Sequence, residues 1–153
     1  MSVVLFVCRA NIFRSPLAEG LFKAYIIEGR FPGDWKASSA GTWASGGAAA
    51  HPWVSQYLEE KGVSMDGHRS REMSEEMLAR ADLVLAMESG QAEALRAEFL
   101  EQADKVHMLS ELKGERRDVE DPVGGSEADF RETVELIEYY ICGSEQRLKE
   151  LAC

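Results

Sequence analysis

The sequence predicts an α/β fold: a single-domain three-layer sandwich in which a four-stranded parallel sheet carries helices on both faces. Three observations predict it. The runs Val3-Val4-Leu5-Phe6-Val7 and Leu83-Val84-Leu85-Ala86-Met87 are apolar without alternation, as strands covered on both sides are. Segments of helical period separate the strand-like runs, and strands alternating with helices build a parallel sheet. The 153 residues contain no repeat, low-complexity tract or linker, so residues 1–153 read as one domain.

Each element has its own reason. The first strand, residues 3–7, delivers Cys8 to its end. In the helix that follows, Ser15 is a natural N-cap and Pro16 suits the first helical position. Leu17, Leu21, Phe22, Tyr25 and Ile26 then recur at helical spacing until Gly29. Residues 35–42 form the second strand. After a loop rich in Gly and Ala, Pro52 opens a helix carrying Trp53, Tyr57 and Leu58, stopped by Gly62. Ser74 reads as an N-cap, with Met73 and Leu78 placed for a hydrophobic staple. Residues 83–87 are the third strand. Ser89 starts a helix that turns Ala92, Leu95 and Phe99 inward, and residues 105–109 are the fourth strand. Residues 110–125 read as a long acidic loop. Ser126 caps a closing helix with Phe130, Val134, Ile137 and Ile141 on one face, weakened near its end by Gly143.

Composition narrows the function. A net charge of −10 argues against nucleic-acid binding, because phosphate backbones are repelled. No apolar run approaches the roughly 20 residues of a membrane span. The three cysteines, at 8, 142 and 153, have neither paired nor metal-like spacing, so no metal or other cofactor is expected. A thiol that must stay reduced fits the cytoplasm.

The chemistry concentrates in residues 2–22. Strand, short loop and helix N-terminus together make an anion site from backbone N–H groups and the positive helix end. Cys8 can serve there as a thiolate nucleophile, and Arg14 can fork several phosphate oxygens. Ser15 can turn its hydroxyl to the Cys8 sulfur. Asn11 tolerates the left-handed backbone that a loop with inward amides requires. A phosphate ester also needs an acid to protonate its leaving group. Asp121, stiffened by Pro122 and followed by Gly124-Gly125, is the candidate, with Asp118 and Glu120 as neighbouring competitors.

The stretch from Val7 to Pro16 resembles the signature loop of the low-molecular-weight protein tyrosine phosphatases. Ser39-Ala40-Gly41-Thr42, His68-Arg69-Ser70-Arg71, Asp82 to Met87 and Asp121-Pro122 extend the resemblance over nearly the whole chain. It implies a phosphocysteine on Cys8, with Arg14 and the amides of Arg9, Ala10, Asn11, Ile12, Phe13 and Ser15 holding phosphate, and Asp121 as general acid. It also implies a supporting network of Asn11, Ser15 and His68, the alternative for His68 being an ordinary satisfied histidine. The implied partners are a phosphorylated protein as substrate and inorganic phosphate as product, with no nucleic acid and no membrane.

Departures from the family pattern carry expectations of their own. Ala10 stands where the family usually has Gly, so a positive φ there would carry a Cβ cost. Phe13 replaces a second cysteine that in relatives can trap an oxidised nucleophile. Val123 replaces an aromatic residue, which makes Trp43 the alternative ring partner unless it serves only loop packing. Arg9 is either a cation at the pocket mouth or a solvated side chain.

The Asp-Pro-Val-Gly-Gly-Ser ending resembles a bacterial branch that includes protein arginine phosphatases, in which Thr tends to occupy the position of Ile12. An apolar Ile12 favours an aromatic ring over a phosphoguanidinium, so the expected activity is phosphotyrosine hydrolysis. Arginine phosphatase is the alternative, and a low-turnover phosphate-binding pseudophosphatase a further one. The family's arsenate reductases need additional cysteines near the third strand, and residues 81–100 contain none.

Overall fold

A computed structural model describes residues 1–152; the third cysteine of the sequence, Cys153, lies outside the described residues. Four strands form one sheet in the order β2-β1-β3-β4: β1 Ser2–Cys8, β2 Trp35–Gly41, β3 Leu83–Ala86 and β4 Val106–Met108. Every pairing is parallel, with Cys8 beside Gly41 and Val7 beside Ala86. The helices are α1 Arg14–Ile27, α2 Pro52–Glu60, α3 Glu75–Arg80, α4 Ser89–Glu98, α5 Glu127–Ile141 and α6 Glu145–Ala152.

Alternate residues of the inner strands feed two separate cores. Val4, Phe6, Leu83 and Leu85 face α1, α2, α5 and α6. Leu5, Val7, Val84 and Ala86 face the side carrying α3 and α4. Both faces are therefore buried, which is why these strands read as unbroken apolar runs. The chain passes from β1 to β2 on one side and then to β3 on the other. The loop after β1 consequently opens at the strand-order reversal, where ligands bind in such folds.

Helix α1 lies at the centre of the larger core and is buried almost all round, from Arg14 to Tyr25. A Cβ on Gly20 would collide with Leu58 of α2, so the glycine allows the two helices to approach closely. Tyr57 of α2 donates its hydroxyl to Glu138 of α5 and closes the layer. Burial and that bond both push the Tyr57 hydroxyl well above the ordinary tyrosine range.

Three expectations need correction. Helix α1 begins at Arg14 with Phe13 as its cap and no side-chain cap bond. Ser15 lies inside the first turn, and its hydroxyl is spent on Cys8 and Asn11 in the loop after β1. Pro16 is tolerated there because first-turn N–H groups have no helical partner anyway. Residues 109–113, expected as the last residue of the fourth strand and the start of the loop, form a 3₁₀ turn. Leu109 and Leu112, three apart, share one face of such a turn and both enter the larger core. Finally, α5 stops at Ile141. Gly143 takes φ +73° and a separate helix, α6, follows with Leu148 buried. Ser126 and Ser74 cap α5 and α3 as expected, accepting from Asp129 N and Met77 N.

Candidate active site

The strand β1 ends with Cys8 buried at the mouth of the sheet, and residues 9–13 loop back over its sulfur before α1 begins. Asn11 has φ +60°, the only positive φ outside glycine among the described residues. Ala10 is spared, so the Cβ cost expected there does not arise. The left-handed turn at Asn11 points its amide N–H at Cys8 Sγ, 3.3 Å away.

Hydrogen-bond polarity in the loop can be deduced from its fixed ends. The Arg71 backbone N–H can only donate, and it lies 3.0 Å from Asn11 Oδ1, which settles the orientation of that amide. Asn11 Nδ2 therefore donates to Ser15 Oγ at 2.9 Å and Ser39 Oγ at 3.0 Å. The Glu19 carboxylate accepts the Ser39 proton at 2.6 Å. Ser15 Oγ, already accepting from Asn11, is left to donate, and its near partner is Cys8 Sγ at 3.0 Å. Ala40 O is a distant second at 3.5 Å. His68 Nε2 lies 2.9 Å from Asn11 O, so that nitrogen carries the proton. The buried network thus ends in a hydroxyl proton aimed at sulfur, the arrangement that stabilises a thiolate.

Arg14 is also buried. Its Nη1 donates to Val119 O at 2.7 Å and faces Glu88 Oε2 at 3.3 Å. Among the described residues its Nε makes no hydrogen bond, leaving that edge of the guanidinium for a bound oxyanion. Val119 is in turn tied to the end of β3, its N–H donating to Met87 O. That tie brings Asp121, two residues on, within 3.8 Å of Arg14 Nη2. The competitors go elsewhere: Asp118 accepts from Ser89 N at the start of α4, and Glu120 is exposed.

Cys8, Ala10, Ile12, Phe13, Arg14, Asp121 and Val123 line one pocket of about 90 Å³. A half-exposed carboxylate thus faces a buried thiol and guanidinium across a cavity of phosphate size.

The sequence matches the profile of the low molecular weight phosphotyrosine protein phosphatases over residues 3–151. The chain belongs to this family. It is 36% identical to a protein-arginine-phosphatase of Bacillus subtilis, covering 96% of this chain and 97% of that protein. A low molecular weight protein-tyrosine-phosphatase of Streptomyces coelicolor is likewise 36% identical, over 88% of this chain and 86% of its own. Among solved structures, the arginine phosphatase YwlE of Geobacillus stearothermophilus superposes with a TM-score of 0.85 at 32% identity, covering 98% of this chain and 94% of that one. A low molecular weight protein tyrosine phosphatase from T. tengcongensis gives 0.83 at 38% identity, covering 98% and 99%. The fold and the cysteine-dependent phosphatase activity expected from the sequence are those of the family.

Of the other anticipated residues of this phosphatase, Phe13 lines the pocket and also packs behind it, while Trp43 stays outside. Phe13 turns its ring into an aromatic cluster with His51, Trp53 and Phe130 at centroid distances of 5.1–6.2 Å. It stiffens the loop from behind. Trp43 does not line the pocket. Its ring is 75% exposed and lies under the Arg9 guanidinium at 5.7 Å, forming a rim. The sequence reading missed Glu88, Val119 and the roles of Ser39 and Glu19. Glu88 had a topological signal: it follows β3, the neighbour of β1, and so emerges beside the loop.

Proposed function

We propose that this phosphatase hydrolyses phosphotyrosine in proteins, with Cys8 as nucleophile, Arg14 as oxyanion clamp and Asp121 as general acid. The observation that carries the reading is that all three share one small pocket whose remaining wall is Ala10, Ile12, Phe13 and Val123. The Cys8 thiolate attacks phosphorus. The S–P bond forms as the phosphorus–phenolic oxygen bond breaks, and Asp121 gives its proton to the departing oxygen. Asp121 then takes a proton from the water that attacks the phosphocysteine, so inorganic phosphate leaves and the thiolate returns. Ser15 donates to sulfur as it departs. A solved structure of the relative YwlE, described as a cysteine-to-serine mutant with a phosphorylated active-site serine, supports the covalent step by analogy. The thiol chemistry suits the cytoplasm, and the negative body of the molecule suits a protein rather than a nucleic-acid substrate.

The arginine-phosphatase relatives favour a second reading, phosphoarginine as substrate. Ile12 opposes it. A guanidinium N–H buried against Ile12 without an acceptor costs on the order of 1–3 kcal/mol, about one to two decades in rate. The test is kcat/KM on matched phosphotyrosine and phosphoarginine peptides, for wild type and Ile12→Thr. A tyrosine preference that weakens or reverses in Ile12→Thr is expected. An arginine preference in wild type overturns the assignment.

A further inference from the structure

The chain holds a second concentration of positive charge, separate from Arg14. On the far side of Asn11 from Cys8, Lys23, Ser39, His68, Arg69 and Arg71 line a cavity with Glu19. Its cations are not neutralised by its one acid. Both Glu19 oxygens are already engaged, Oε1 by Ser39 at 2.6 Å and Oε2 by Lys23 at 2.5 Å. Among the described residues neither Arg69 nor Arg71 has a carboxylate within ion-pair distance, in a chain with 27 acidic residues. Arg71, an exposed residue, is anchored by its Nε, which donates to Ser39 O at 3.0 Å, and among the described residues its two terminal nitrogens make no hydrogen bond. Arg69 is braced by Nη1 on the carbonyls of Asp66 and His68. Two guanidiniums fixed by backbone carbonyls beside a serine-lined cavity match the geometry of oxyanion recognition.

We propose that this cavity is a second oxyanion site that takes a small phosphate monoester. Size favours an ester over a bare anion: the cavity measures about 370 Å³ against about 90 Å³ for the catalytic pocket. A single phosphate leaves most of it empty, whereas the organic part of an ester fills the wall formed by Met65 and Gly67. The site is wired to the catalytic loop. His68 donates to Asn11 O, the Arg71 N–H donates to Asn11 Oδ1, and Ser39 accepts from Asn11 Nδ2. An occupant that draws on these residues changes the support of the residue whose N–H faces the Cys8 sulfur, and by linkage a catalytic-site ligand changes affinity at the second site.

The test uses the ¹⁵N-labelled full chain with stoichiometric orthovanadate holding the catalytic pocket. Glycerol 3-phosphate is titrated in one arm and inorganic phosphate in the other. The expected result is a saturable shift of the Ser64, Gly67, Arg69 and Arg71 amides and of both arginine Nε signals, tighter for the ester. Arg69→Ser is expected to weaken it about tenfold, as loss of one charge-assisted hydrogen bond does, and Arg69→Lys to restore most of it. Arg69→Ser leaves ligand-free turnover of an aryl phosphate unchanged. Shifts confined to residues 8–15, no shift at millimolar ligand, or a titration unaltered by Arg69→Ser overturn the site. Equal affinity for the two anions overturns the assignment to an ester.

Discussion

Replacing Asn11 with Asp tests the deduced polarity of the loop network with almost no change of shape. Aspartate keeps the left-handed backbone accessible and keeps Oδ1 for the Arg71 N–H. It converts Nδ2, donor to Ser15 at 2.9 Å and to Ser39 at 3.0 Å, into a second acceptor. Both serines must then turn their protons toward it. Ser39 can do so only by leaving Glu19, and Ser15 only by leaving the Cys8 sulfur. The thiolate loses one charge-assisted hydrogen bond, a loss of about 1.5–3 kcal/mol, and gains a like charge on the very residue whose N–H faces it. The expected outcome is a fall in kcat/KM on an aryl phosphate of about one to two decades, with a parallel fall in the rate at which iodoacetamide alkylates Cys8 at neutral pH. Circular dichroism should show the fold retained. Because Ser15 transmits the effect, Ser15→Ala and the double variant should lose little more than Asn11→Asp alone. Full additivity of the two changes, or an alkylation rate equal to wild type, would refute the proton direction argued for the network.

Other consequences can be checked in parallel. Asp121→Asn keeps the acceptor for Val123 N but has no proton to give. Turnover should fall about 10²–10⁴-fold for substrates with poor leaving groups and far less for activated aryl phosphates, and equal losses on both would remove Asp121 from the acid role. A Cβ at Gly41 meets the Arg9 carbonyl oxygen and sits 3.0 Å from the Ala44 Cβ. Gly41→Ala should cost about 1–3 kcal/mol in denaturant unfolding and lower kcat, whereas Gly90→Ala, in open space on α4, should gain about 0.5–1 kcal/mol. Burial raises the hydroxyls of Tyr25 and Tyr140 from 10.0 to about 12, helped by Glu138 and Glu115 respectively. Above pH 10 these tyrosines ionise in the unfolded chain and stay neutral in the folded one. Stability is therefore intact below pH 10 and drains between pH 10 and 12, by at most about 2–3 kcal/mol per group. Tyr25→Phe or Tyr140→Phe should flatten that decline in alkaline melts.

What was legible in the sequence is what depends on short-range pattern. Apolar runs, helical spacing and Ser caps located every strand and most helix starts, and Cys8 with Arg14 announced the loop because one backbone segment carries both. Asp121 was legible as the candidate acid from Pro122 and Gly124-Gly125 beside it, but what sets it apart from Asp118 in space was not. That difference depends on Val119 being tied to Met87 and Asp118 to Ser89, two contacts spanning about thirty residues. Glu19 was hidden for a different reason. At 9% exposure it is a buried carboxylate on the inner face of a helix, where pattern alone predicts an apolar residue, and its partner Ser39 lies 20 positions away. Ser15 shows the same competition in reverse. Its local preference to cap a helix is worth about 1 kcal/mol, but a buried thiol and a buried amide without partners would each cost as much or more. The hydroxyl therefore goes to Cys8 and Asn11, and the helix begins at Arg14, two residues early, with no side-chain cap. Where propensity and the needs of a buried polar site conflict in this chain, the site prevails, and those conflicts mark the catalytic loop more sharply than any single motif residue.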